Sequence, residues 1–320
     1  MRLFKNTNVP FVQNRKIFFI LSAILVIAAI VGIFVRGFNW STDFKGGVTV
    51  IVNMKPESAN VPALNIDELR RVINEGGFTA AEIQYIGDRE DDTFQIKVAG
   101  SDATAIKDKI LEVISTQLGA YTEGRNLQKD VIREFNTVGA KAGLEMRNNA
   151  ILAVALALLL MIIYIWIRFE FTFGLMAIVA LFHDVIIIVG IFSWTGKEIT
   201  MSIVAALLTI VGYSINDTIV IFDRIREDLK IYRKDPVQVI FNRSMNETLS
   251  RTIITAGTTL FTALALYFFG GPVIHDFAFA MSLGIIFGTY SSIFVASNLV
   301  LDTIKATHQE KQSIKKLTKK

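Results

Sequence analysis

The hydrophobic positions of this chain fall into six long runs separated by polar segments. An α-helix needs about 20 apolar residues to cross the hydrocarbon core of a bilayer. Six stretches meet this length, at residues 17–35, 150–167, 171–196, 199–222, 252–274 and 277–301. Only the third and fourth runs contain ionisable side chains. The pattern predicts a polytopic α-helical membrane protein with six transmembrane helices.

The first run also has one feature of a cleaved signal peptide, because Arg15 and Lys16 precede it. Its apolar stretch is longer than the roughly 7–15 residues of a signal core, and no convincing small-x-small cleavage site follows it. We therefore interpret residues 17–35 as a membrane helix.

The segment between the first two runs, residues 36–149, is polar enough to contain a soluble domain and a linker. β-Branched or alternating stretches predict strands, and amphipathic stretches predict helices. In order they are a strand at 48–52, a helix at 66–73, strands at 83–86 and 93–98, a helix marked by Ile106, Ile110, Val113 and Ile114, and a strand at 130–138. The order β-α-β-β-α-β predicts a ferredoxin-like α+β domain. An α+β domain of another topology is the alternative.

Four acidic residues, Asp88, Glu90, Asp91 and Asp92, cluster in the turn between two of these strands. They lack the ligand spacing of a known calcium loop. We therefore prefer a solvated turn over a calcium site, and we find no other site chemistry in the domain.

Lysine and arginine in short loops set the orientation of a membrane protein. These residues concentrate in the N-terminal arm (residues 1–16), the loop at 223–251 and the basic tail at 302–320. The short loops on the other side hold only Lys197. The arm, the loop, the tail and both termini are therefore predicted to be cytoplasmic, and the α+β domain extracytoplasmic.

The overall composition excludes several function classes. Hydrophobic residues make up 52% of the chain, and the net charge is only +4. Cationic cytoplasmic loops explain a basic pI near 9.1 better than nucleic-acid binding does. The absence of cysteine excludes disulfides, thiolate nucleophiles and cysteine-ligated zinc. No nucleophile–base–orienter set is apparent, so we predict neither an enzyme nor a cofactor.

Ionisable residues at membrane depth are costly and usually face a partner or a water-filled path. Asp217 lies in the fourth run, six residues and about 9 Å before Asp223. Arg251 immediately precedes the fifth run, at the same membrane face. A salt bridge between Asp217 and Arg251 is one interpretation, and an Arg251 that reaches the lipid headgroups is the other.

The neighbouring positions support an interior role for these two helices. Thr255, Thr258, Thr259 and Thr262 continue one helical stripe from Arg251, which lines a wet path or simply packs against other helices. Thr209, Gly212, Tyr213, Asn216 and Asp217 similarly share a face of the fourth helix. We select Asp217, Arg251 and Asn216 as a candidate proton relay, with Thr255 and Thr259 as supporting polar residues. Proton uptake by Asp217 would weaken its pairing with Arg251 and let two helices shift.

His183 and Asp184 are further candidate supporting residues, in the middle of the third run. Adjacent helical residues point about 100° apart, so we do not expect them to form a simple local pair. One would face the bundle and the other a subunit partner. A metal site is disfavoured because no other histidine is near in sequence.

Several motifs together resemble the SecF family of protein-export subunits. The most specific is residues 212–227, GYSINDTIVIFDRIRE, followed by residues 246–253, NETLSRTI. Residues 40–47, WSTDFKGG, are similar to the D-F-x-G-G pattern that follows the first membrane helix in the family. The resemblance runs from the first span to the sixth. One departure is Ala140, where the family commonly has proline.

The resemblance implies a multi-pass protein of the bacterial inner membrane that associates with SecD to form a twelve-helix transporter of the RND type. It also implies association with the SecYEG channel, with YajC and YidC as further candidate partners. The implied activity is translocation and release of exported, unfolded polypeptides, driven by the proton motive force. Asp217 and Arg251 match positions of the family's proton pathway.

Two other functions remain as alternatives. An RND-type exporter of small molecules or lipids would usually be a much longer chain with two outside domains, and a self-sufficient homotrimer would favour it. A membrane scaffold that transports nothing would not need ionisable residues at membrane depth.

Overall fold

The computed structural model describes residues 7–56, 61–79, 81–86, 91–100 and 102–306. Its helices are α1 (Arg15–Arg36), α2 (Thr42–Lys45), α3 (Ile66–Glu75), α4 (Ala103–Gln117), α5 (Gly119–Thr122), α6 (Ala140–Arg168), α7 (Phe171–Thr195), α8 (Met201–Ile231), α9 (Val237–Phe269) and α10 (Gly271–Tyr290). Its strands are β1 (Asn39–Trp40), β2 (Gly47–Asn53), β3 (Glu82–Tyr85), β4 (Thr93–Ala99), β5 (Ile132–Val138) and β6 (Glu198–Ile199). Two π turns occur, at Leu127–Val131 and Ser291–Ala296.

Within the described residues, six helices are long and apolar enough to cross a membrane. They are α1, α6, α7, α8, α9 and the continuous helix Val273–Ala306, which contains most of α10 and the second π turn. Each of the six hydrophobic runs overlaps one of these helices over most of its length, so the polytopic architecture is confirmed.

In the predicted loop at 223–251, the helices extend beyond the ends of the apolar runs. α8 continues to Ile231 and α9 already begins at Val237, so most of this segment is helical. Apolarity marks where a helix leaves hydrocarbon, not where its backbone hydrogen bonding stops. At the other end, α9 stops at Phe269, and Gly270 and Gly271 form the turn into α10. Gly271 has φ of 72°, a conformation that favours glycine.

The segment between α1 and α6 forms a four-stranded antiparallel sheet of order β3-β4-β2-β5. With α3 between β2 and β3, and α4 between β4 and β5, this is the predicted ferredoxin-like arrangement. Alternate residues of the strands bury one face against both helices. The shared core contains Val48, Val50, Val52, Leu69, Ile73, Phe94, Ile96, Ile110 and Ile114.

Side-chain caps and glycine define the helix boundaries of this domain. The Asn65 side chain accepts a hydrogen bond from the Asp67 amide at the start of α3, and Asp102 caps α4 through the Ala105 amide. α3 ends at Glu75, with Gly76 as its C-cap. Asp88 and Glu90, half of the acidic cluster considered for calcium, lie outside the described residues.

A short segment made of β1, α2 and β6, here called the base, joins the domain to the membrane helices. β1 pairs in parallel with β6, which connects α7 to α8. The Asp43 carboxylate accepts a hydrogen bond of 3.2 Å from the Met201 amide at the start of α8. Gly46 and Gly143 bring α2 and α6 into backbone contact, since a Cβ atom on Gly143 would lie 2.8 Å from the Gly46 nitrogen. The base is therefore fixed by both hydrogen bonds and close packing.

In the membrane part, α7, α8 and the last helix form the centre, while α1, α6 and α9 expose most of their surface. α1 packs against α7, where Gly190 contacts Ala29. Arg15, at the start of α1, pairs with Asp302 near the end of the last helix at 3.0 Å. Small residues at such crossings allow the helices to approach closely, as in other membrane bundles.

We expect Gly190→Ala to lower the thermal stability of the full chain, because the new methyl group would overlap Ala29 and push α1 from α7. Overpacking of this kind typically costs about 1–3 kcal/mol. The matched control is Gly257→Ala on α9, where an added Cβ has nothing within 4 Å. Melting of detergent-solubilised protein, followed by tryptophan fluorescence, should separate the two variants. Equal melting temperatures would contradict the packing described.

Candidate functional site in the membrane helices

Asp217 lies buried on α8, on the side of the helix that faces α9. Its Oδ2 atom has no hydrogen-bond partner in the part of the chain that the structure describes. Arg251 on α9 is exposed and acts on Asp217 by Coulomb attraction. Of the two interpretations of this pair, the salt bridge is not formed, since no ion pair joins Asp217 and Arg251 among the described residues. Asp217 and Arg251 are therefore close enough to attract each other but do not form a contact.

Tyr213 lies one helical turn from Asp217, on the same side of α8. Its ring packs against a buried cluster that includes Ala256 and Ala263 of α9. Its hydroxyl lies beside the hydroxyls of Thr255 and Thr259. The predicted polar faces of α8 and α9 thus meet at these residues.

The remaining polar residues of the two predicted faces do not all lie at the α8–α9 interface. Asn216 and Thr209 of α8 are exposed, and so are Thr258 and Thr262 of α9. They do not contribute to the interface that holds Asp217. The predicted single face is therefore wrong for α8, because the broad polar arc there covers one buried side and one exposed side.

The threonine hydroxyls of α9 hydrogen-bond to their own helix. Thr255, Thr258, Thr259 and Thr262 each donate to the carbonyl four residues earlier, at 3.0, 2.9, 2.9 and 3.2 Å. Back-bonding of this type satisfies the hydroxyl donor inside the helix. The lone pairs of these hydroxyl oxygens remain available to accept a hydrogen bond from a neighbouring residue.

Asp184 is completely buried on α7 and accepts three hydrogen bonds. His183 Nδ1 lies 3.0 Å from Oδ1, and the hydroxyls of Ser214 and Ser291 donate to Oδ2 at 2.6 and 2.7 Å. The expectation that His183 and Asp184 would not pair is wrong. Both Nδ1 and the carboxylate lie close to the backbone, so these side chains meet despite their different directions.

The polar cluster continues from His183 to α1. The His183 ring stacks on Tyr290 with centroids 6.2 Å apart. The Tyr290 hydroxyl donates to the Phe18 carbonyl at 2.9 Å and lies 2.9 Å from the Ser22 hydroxyl. His183 Nε2 is buried without a partner among the described residues. His183 and Asp184 therefore both face the interior, and the prediction that one of them points outward is wrong.

In the π turn Ser291–Ala296, two successive serine side chains contact α7 and α8. Ser291 donates to Asp184, and Ser292 lies 2.7 Å from the Thr218 hydroxyl. Thr218 follows Asp217 directly, so the Asp184 cluster and the Asp217 position are neighbours along α8. Neither Ser214 nor Thr218 stood out in the sequence as a candidate. A spacing of four between Ser214 and Thr218 was the available signal.

Two family descriptions match this chain. "Protein export membrane protein SecD/SecF, C-terminal" matches residues 120–306, and "SecD/SecF GG Motif" matches residues 31–57. The second range contains Gly46 and Gly47 at the base of the domain.

Curated relatives extend the similarity over nearly the whole chain. The protein translocase subunit SecF of Rhodothermus marinus is 41% identical over 308 residues, covering 94% of this chain and 95% of its own. The subunit SecF of Haemophilus influenzae is 40% identical over 294 residues, covering 91% and 85%. The subunit SecDF of Thermus thermophilus is 39% identical over 294 residues, covering 88% of this chain but 37% of its own.

A solved structure has the same fold. The crystal structure of SecDF from Thermus thermophilus aligns with a TM-score of 0.78 at 37% identity, over 94% of this chain. The present chain spans 39% of the length of that SecDF chain.

We expect Asp184→Leu to destabilise the full chain strongly, because Ser214, Ser291 and His183 would lose their common acceptor. An unsatisfied buried donor costs about 1–3 kcal/mol. Asp184→Asn keeps one acceptor oxygen and should lose less. The control is Asp223→Leu, on the exposed part of α8. Thermal melting in detergent tests the order; an Asp184→Leu protein as stable as the control would contradict the network.

Proposed function

This chain belongs to the SecD/SecF family of protein export membrane proteins, and from this premise we propose that it uses the proton motive force for protein export together with SecD. The proposed role is to promote translocation of unfolded polypeptides and their release on the outer side of the membrane. The observation that carries the proton-coupled part is Asp217, a buried carboxylate at membrane depth with an unpartnered oxygen.

Asp217 has the properties that a proton-carrying residue needs. An ionised carboxylate inside a bilayer is costly unless it is paired, and within the part of the chain that the structure describes no cation forms an ion pair with Asp217. Arg251 is close enough to attract it but remains exposed. Loss or gain of a proton therefore changes the attraction between α8 and α9. A change in that attraction biases the helix pair between two arrangements.

The Asp184 cluster supplies a rigid support beside this position. Asp184 holds α7, α8 and the last helix together through Ser214 and Ser291. We assign His183 and Asp184 a positioning role, and Tyr213, Thr255 and Thr259 the role of polar lining between α8 and α9. Asn216 is exposed, and we assign it to the side that faces the partner.

Two observations support SecD as the partner. The Thermus thermophilus relative is named SecDF, and this chain matches 37% of it. In addition, α8 exposes Ala205, Thr209 and Asn216 on one stripe of an otherwise apolar membrane segment. Small and polar residues at membrane depth favour contact with another helix over contact with lipid. A SecD helix is the proposed occupant.

The location and the remaining partners are part of the same proposal. Cationic residues at the α8–α9 end, including Arg224, Arg226 and Arg243, support a cytoplasmic location for that end. Both termini are then cytoplasmic, in a bacterial inner membrane, and the α+β domain faces outward. SecYEG, YajC and YidC are proposed associates on the strength of the family alone.

Asp217→Asn tests the proton-coupled role. The variant keeps the size of the side chain but removes its ability to ionise, so we expect gradient-dependent export to fall to the level measured without a gradient. The assay uses inner-membrane vesicles that contain SecD and the full-length variant. Asp223→Asn, six residues along the same helix and exposed, is the matched control and should export normally.

A normal proton-driven export rate in Asp217→Asn vesicles would refute the proposal. A defect of the same size in Asp223→Asn would show that the loss concerns α8 in general.

The partner surface is tested by Asn216→Trp. A bulky side chain on the exposed stripe should reduce co-purification of SecD with the tagged chain, while Leu160→Trp on the exposed side of α6 should leave it unchanged. Retention of SecD by both variants would place the interface elsewhere. A self-sufficient homotrimer without SecD would favour the RND-type exporter instead.

A further inference from the structure

Three charged side chains meet where the α+β domain contacts the membrane helices. Lys97 on β4 has its Nζ atom 3.0 Å from Glu198 and 3.6 Å from Glu82. Glu82 and Lys97 are cross-strand neighbours in the β3–β4 pair. Glu198 belongs to β6, between α7 and α8. The cluster therefore crosses the boundary between the domain and the membrane part.

Negative charge predominates around this cluster. Asp43 on α2 acts on Lys97, and Asp276 on α10 acts on Glu82. Asp276 is itself paired with Lys197 at 2.5 Å. Four carboxylates thus share two lysines. Their elements, β3, β4, α2, β6 and α10, come from both sides of the boundary.

The two central groups are shielded from water. The side chain of Lys97 is 16% exposed and that of Glu198 is 11% exposed, whereas Glu82 at the sheet edge is 46% exposed. Glu82 therefore retains a route for protons from solvent while its neighbours hold fixed positions.

The environment changes the protonation of Glu82. Burial and the adjacent Glu198 raise the pKa of Glu82 from 4.5 to about 7, against the opposing effect of Lys97. Burial disfavours the charge of Lys97, but Glu198 and Glu82 outweigh it and raise the pKa of the lysine. The lysine therefore stays charged while Glu82 titrates.

We propose that Glu82 and Glu198 form a proton-binding site, outside the membrane, whose occupancy controls how firmly the α+β domain is held on the membrane helices. With the proton bound, Glu82 donates a hydrogen bond to Glu198 and Lys97 neutralises the remaining charge. Without it, two carboxylates compete for one lysine, and Asp43 and Asp276 add repulsion. The proton is the ligand, and the docked domain is the state that it stabilises.

The direction of the pH dependence follows from linkage. Glu82 has a higher pKa in the docked state than when released, so the docked state binds the proton more tightly. Docking is strongest below the released pKa of 4.5 and weakens as the pH rises through about 7. For these two values, docking is about tenfold weaker at pH 8 than at pH 6. An acidic outer side, as a proton gradient produces, would hold the domain in place.

The experiment measures the distance between the domain and the membrane part directly. The chain has no cysteine, so Arg71→Cys on α3 and Val273→Cys on α10, both at exposed sites, accept spin labels cleanly. Distances are recorded by pulsed electron paramagnetic resonance on the full chain in nanodiscs. We expect the ratio of released to docked populations to be about tenfold larger at pH 8 than at pH 6.

Substitutions identify the responsible group. Glu82→Gln imitates the protonated side chain, so the domain should stay docked at both pH values. Lys97→Met removes the shared cation and should increase release at both. Glu112→Gln, an exposed acid on α4, is the control and should keep the parental pH response.

Either of two results would overturn the proposal: identical distance distributions for the parent at pH 6 and pH 8, or a parental pH response in Glu82→Gln. The measurement requires no export and does not depend on Asp217. Failure of the Asp217→Asn export test and failure of this test are therefore separate outcomes.

Discussion

A carboxylate placed inside a bilayer must either be supplied with donors or be left ready to take up a proton. This chain does both, on adjacent helices. Asp184 receives two hydroxyls and a histidine nitrogen and is closed off from its surroundings. Asp217 keeps one oxygen without a hydrogen-bond partner among the described residues, and Arg251 acts on it only by Coulomb attraction. The two carboxylates therefore differ in how fully their surroundings supply them with donors.

The rest of the architecture can be understood as support for these two positions. Gly190 admits Ala29, and Gly284 admits Ile210, so α7, α8 and the last helix lie close enough for Ser214 and Ser291 to reach one carboxylate. Above them, Asp43 caps the first turn of α8 from the base of the domain. A displacement of the domain therefore acts on the same helix that carries Asp217. The charged cluster around Lys97 adjoins the same base, since its Glu198 lies in β6 and Asp43 acts on Lys97.

The sequence predicted the membrane helices and the domain topology well, because both depend on periodic apolar positions. It predicted the site less well. The positions of Asp217 and Arg251 near the same membrane face predicted that the two residues could meet. Only the placement of their side chains shows that they do not form a contact. The pairing of His183 with Asp184 depends on side-chain rotation, which helical geometry at the backbone level does not determine. Glu82 and Lys97 meet across the β3–β4 pair, but Glu198 is far from both in sequence and joins them only where the domain contacts β6, so no local pattern could identify the cluster.

The π turn at Ser291–Ala296 has a consequence for the whole last helix. Ser291 and Asp302 are eleven residues apart, which in a regular α-helix is close to three full turns and would point both side chains the same way. The wider turn breaks this register. Ser291 can then face Asp184 on α7 while Asp302 faces Arg15 at the entrance of α1. One continuous helix thus contacts two neighbouring helices in different directions. The π turn rotates its two ends relative to each other without interrupting the helix.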